Sequence, residues 1–66
     1  MKISTKDRKL IDDMTKLHRY GLSPQKALEQ MKDDHNISTE DVVELSRKAV
    51  YAMENGMMDE ATGKWL

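Results

Sequence analysis

The chain has 66 residues, 38% apolar and 35% charged, with 11 Lys and Arg against 12 Asp and Glu and no cysteine. That length supports one domain with a thin core, and the lack of cysteine excludes a disulfide framework and a thiolate metal site. No apolar run approaches the eighteen or so residues that span a bilayer, and none follows a basic start as in an export signal, so a single cytoplasmic domain without a membrane span is expected. Charge is polarised along the sequence. Residues 1–26 carry seven Lys or Arg against three Asp (7 − 3 = +4), and residues 27–66 carry four against nine acids (4 − 9 = −5).

Caps and apolar spacing predict three helices, at about 5–20, 24–34 and 39–54. In the first, Ser4 or Thr5 can cap the start, with Asp7 near the positive end of the helix dipole. Ile3, Leu10, Ile11, Met14, Leu17 and His18 share one stripe, opposite Arg8, Asp12, Lys16 and Arg19. Gly21 ends the helix by accepting a left-handed backbone.

Ser23 and Pro24 open the second helix, since proline at the first helical position forfeits no intrahelical bond. Its narrow apolar face is Ala27, Leu28 and Met31; Leu22 can staple back over the cap, and Asn36 suits the end. The third helix starts at Ser38 or Thr39 with Glu40 and Asp41 in its first turn, and runs to Asn55-Gly56. Val42, Val43, Leu45, Ala49, Val50 and Met53 give it a wide apolar stripe, with Glu44, Arg47, Lys48, Tyr51 and Glu54 on the far side.

These elements predict an all-α fold, a small three-helix bundle over residues 1–56, with residues 57–66 as a C-terminal tail or short fourth helix. Gly56 just before the tail and Gly63 within it weaken a long helix there.

The stretch Tyr20-Gly21-Leu22-Ser23, followed by Ala27-Leu28, Met31 and Asn36, resembles a ubiquitin-associated domain over residues 10–50. The resemblance implies a three-helix bundle with Tyr20, Gly21 and Leu22 in a binding loop and Val42 and Leu45 on the third helix. The chain departs from that pattern at Asp41, where a small alanine is usual, and at Ser46, where an apolar residue is expected.

Catalytic signatures are scarce: there is no cysteine nucleophile and no glycine-rich phosphate loop after a strand. His18 and His35 are the only imidazoles, and in Asp33-Asp34-His35 successive side chains diverge by about 100° on a helix. No metal site, no cofactor and no enzymatic activity are therefore expected.

Apolar residues beyond the needs of a core point instead to protein binding. Val43, Val50, Tyr51, Met57, Met58, Trp65 and Leu66 are the candidate contact residues of a small regulatory or inhibitory module, and the sequence leaves equally open that Met57, Met58, Trp65 and Leu66 fold back over the chain's own flank. The wide stripe of the third helix and the tail could also pair two copies in a homodimer. The alternative is a nucleic-acid-binding transcriptional regulator using Lys6, Arg8, Lys9, Lys16 and Arg19 of the first helix. Nucleic acid is disfavoured by the net charge of −1, and helix-turn-helix readout by Glu40, Asp41 and Glu44 at the start of the third helix.

Overall fold

A computed structural model describes residues 2–66. Three helices, α1 (Thr5–Arg19), α2 (Pro24–His35) and α3 (Thr39–Glu54), are followed by two short strands, β1 (Met58–Asp59) and β2 (Lys64–Trp65). Each helix starts on a serine. The Ser4 hydroxyl accepts from the Asp7 N–H at 3.1 Å, and that of Ser23 from the Lys26 N–H at 3.3 Å. At α3 the cap is reciprocal: Ser38 Oγ accepts from the Asp41 N–H and the Asp41 carboxylate accepts from the Ser38 N–H, both at 3.1 Å. These bonds satisfy backbone donors that the first turn of a helix leaves unpaired.

The reversals are as local as the starts. Gly21 takes φ +90° after α1, and Asn36 closes α2 at φ 51°, ψ 50°, a left-handed conformation that asparagine tolerates better than most residues. Such tight connections leave the three helices in mutual contact.

Ile11 and Met14 of α1, Met31 of α2, and Val42, Leu45, Ala49 and Ala52 of α3 form the buried core. The spacing 42, 45, 49, 52 is one helical face. Val50 lies one residue, about 100°, off that face, so it is 53% exposed and not part of the core that its place in the wide stripe predicts.

A short C-terminal tail follows the bundle as expected, and it does not form a fourth helix. It is an antiparallel hairpin with Met58 opposite Trp65 and Asp59 opposite Lys64. Asp59 organises its four-residue loop: its carboxylate accepts from the Ala61 N–H at 3.1 Å and the Thr62 hydroxyl at 3.0 Å, and its carbonyl accepts from the Gly63 N–H at 2.7 Å. The hairpin packs β1 against α3 and β2 against α1, so that Met58, only 3% exposed, completes the core.

One ion pair and one histidine–carboxylate contact tie α1 to its neighbours. Lys48 Nζ lies 2.7 Å from Asp7 Oδ2, and His35 Nε2 lies 3.2 Å from Asp13 Oδ2. Among the described residues, no helix is long and apolar enough to cross a membrane.

Candidate functional site

Docking the hairpin on α1 leaves an open, shallow cleft of about 770 Å³ between them. Arg8, Lys9, Lys16 and Arg19 reach it from α1 and Lys64 from β2, with Thr5, Asp12 and Trp65 completing the lining. The α1 residues 5, 8, 9, 12, 16 and 19 recur at the three- and four-residue intervals of one helix face. At 1.5 Å per residue, Arg8 and Arg19 are about 16 Å apart along the axis.

The wall formed by β2 and the loop before it is held by four contacts. The indole N–H of Trp65 donates to the Arg8 carbonyl at 3.2 Å, while the Arg8 guanidinium carbon lies 4.4 Å from the indole ring centroid. Arg19 Nη1 donates to the Thr62 carbonyl at 2.8 Å, and the buried Thr15 hydroxyl donates to the Gly63 carbonyl at 2.9 Å. Gly63 sits so close over Thr15 that a Cβ there would lie 2.9 Å from Thr15 Cβ. Stacking on Trp65 and hydrogen bonding to the hairpin restrict both arginines, lowering the conformational entropy they would lose on meeting an anion.

Four of the five basic candidates of the first helix are thus brought together. Lys6 is not: it lines a separate, smaller groove with Asp7 and Lys48. Lys64, Asp12 and the Thr15–Gly63 bond were not predicted as parts of a site, because without the hairpin nothing in the sequence places residue 64 beside residue 8.

The apolar candidates are dispersed. Met58 is a core residue, and Met57 and Trp65 pack against the core, so for these three the contact-surface assignment is corrected in favour of the other reading, in which the tail folds back on the chain's own flank. Val43 and Val50 are 44% and 53% exposed on α3, Leu66 is 80% exposed at the far end of the hairpin, and Tyr51 is half-buried. In the loop between α1 and α2, Tyr20 is 72% exposed, Gly21 is exposed and Leu22 is half-buried. His18, predicted at the edge of the buried stripe, is exposed.

Among the described residues, no three His, Cys, Asp or Glu side chains converge in a way that could hold a metal ion. No family model matches this chain, and comparison with curated proteins and with solved structures gave no match.

Proposed function

We propose that this protein is a small docking module that acts on a larger macromolecule by binding it, and that the cleft between α1 and the hairpin is its contact surface for an anionic partner. One observation carries the reading: five cations from two separate elements converge on one cleft that has a single carboxylate, Asp12. The cleft is built by packing and hydrogen bonds internal to the chain, so it exists before a partner arrives, which favours binding by reducing the ordering cost. This reading keeps the regulatory module expected from sequence and moves its surface from α3 and the tail to α1 and β2.

Attraction of this kind is salt-dependent, since the Debye length of about 10 Å at 0.1 M is shorter than the cleft. Trp65, the chain's single tryptophan, reports directly on occupancy. Titrating polyglutamate or oligothymidylate at low ionic strength should change its emission, and the change should fade with added salt. Lys9→Glu with Lys16→Glu, at two exposed positions, should abolish the response while leaving the helical circular dichroism intact. No response of the wild-type protein to either polymer would sink the proposal. A second reading rests on Tyr20, whose 72% exposure leaves the loop Tyr20, Gly21, Leu22 open as the contact implied by the ubiquitin-associated resemblance. Tyr20→Ala then weakens binding that the charge reversals leave unchanged.

A further inference from the structure

We infer that the occupant of the cleft is a short acidic segment of a partner protein, an inference that rests on the cleft being the contact surface. Three observations separate this ligand from a nucleic-acid strand. The first is Trp65. Proteins that hold single strands use open aromatic faces on which bases stack, whereas Arg8 covers the Trp65 ring, the indole N–H is bonded to the Arg8 carbonyl, and the rest of the side chain packs on the core. The aromatic ring supports an arginine and offers no platform to a base.

The second is Asp12, which lies midway between Arg8 and Lys16 on the cleft-lining face of α1. A phosphate backbone carries a charge at every nucleotide and would run across this carboxylate. A peptide can set an N–H or a hydroxyl against it and place its own carboxylates on either side.

The third is extent. The lining holds five cations and one carboxylate, a local balance of +4, on a molecule whose net charge is −1. Attraction is therefore confined to about 16 Å of α1, which about five extended residues span at 3.3 Å each. A long polyanion would extend past the cleft toward Asp59 and Glu60 of the hairpin; a short acidic segment with neutral flanks would not. Planar guanidinium groups also pair with carboxylates through two parallel hydrogen bonds, and Arg8 is already oriented by its stacking.

The test is a calorimetric titration of the full chain with three probes: a twelve-residue peptide with five consecutive glutamates between neutral flanks, the same peptide with glutamines, and a twelve-residue oligothymidylate. The glutamate peptide should bind at least tenfold more tightly than either other probe, and Lys16→Glu should weaken it at least tenfold. Asp12→Asn should strengthen oligothymidylate more than the peptide. Oligothymidylate binding as tightly as the glutamate peptide, or more tightly, overturns the acidic-segment inference and leaves the cleft as an anion-binding surface. Binding of neither anionic probe overturns both.

Discussion

Asp7 is the residue whose protonation bears most directly on the bundle. Its carboxyl is held below the ordinary aspartate range, chiefly by the hydrogen bond from Lys48 and further by the charge of that ammonium and by Ser4, against a smaller opposing effect of burial. The Lys48 ammonium is correspondingly pushed up by its bond to Asp7. Both side chains are mostly shielded, at 20% and 23% exposure, and they join α1 to α3. A carboxyl whose folded value lies below its unfolded one contributes stability above the unfolded value, near 3.8, and loses it as pH falls through the folded value. Lys48 works in the opposite sense at the alkaline end: its contribution is present below its unfolded value, near 10.5, and is lost as pH rises through the raised one. Urea unfolding of the wild type and of Lys48→Met at pH 6 and pH 3 should therefore show a smaller acid-induced loss in the variant. Equal losses would mean that the pair contributes nothing to acid sensitivity.

At the scale of elements, the helices and the hairpin differ in how much of them the sequence discloses. Ser23-Pro24, Ser38 with Asp41, and Gly21 locate helix ends to within a residue because each acts through its own backbone or that of near neighbours. The 3.6-residue period likewise identifies Ile11, Met14, Met31, Val42, Leu45 and Ala49 as core. Strands of two residues have no period to read, so β1 and β2 are invisible in the sequence, and Met58 and Trp65 read equally as surplus apolar surface or as cover for the chain's own flank. The available signal lay in the turn: Asp59, whose side chain bonds forward along the loop, followed four residues later by Gly63 at φ +68°. The cleft was legible only on its helical side, since Arg8, Lys9, Lys16 and Arg19 share a face of α1 whatever follows, while Lys64 enters through a contact between residues far apart in sequence.

Gly63 is where that long-range contact can be tested. Alanine at Gly63 and at Gly56 is strained by a similar positive φ, +68° and +71°, but only Gly63 has the Thr15 side chain beneath it, at 2.9 Å from the position of a Cβ, whereas nothing lies within 4 Å at Gly56. Gly56→Ala should cost about 1 kcal/mol from backbone strain alone. Gly63→Ala should cost about 1 to 3 kcal/mol more by overpacking against Thr15 and stretching its hydrogen bond to the Gly63 carbonyl. Denaturant midpoints measure the difference. Equal losses would show that the hairpin does not press on α1 in solution.

The hairpin also bears on how the whole molecule behaves. A dimer expected from the sequence would bury Val43, Val50, Met57, Met58 and Trp65 between two copies, yet the last three of these pack within one chain. What stays open on α3 is Val43 and Val50, each about half exposed, one helical face apart from the core and beside Arg47 and Glu44. A stable protein–protein interface removes about 1,200 to 2,000 Å² from water, with roughly 20 to 30 residues on each side. Two half-exposed valines supply only a small part of that. The other large apolar residues in the open, Tyr20 and Leu66, lie off α3, so the rest of a self-interface through that helix would come mainly from charged surface, where exposed ion pairs contribute about 0 to 1 kcal/mol each. The chain is therefore expected to sediment as a monomer of 7.6 kDa at tens of micromolar, with a mass that does not rise with concentration. If it is instead a dimer through α3, Val43→Glu should dissociate it by placing an unpaired charge in the contact. If the hairpin must undock to make that dimer, Gly63→Ala should increase the dimer fraction by loosening β2 from α1. A concentration-independent monomer for the wild type and both variants is the outcome that the docked hairpin predicts.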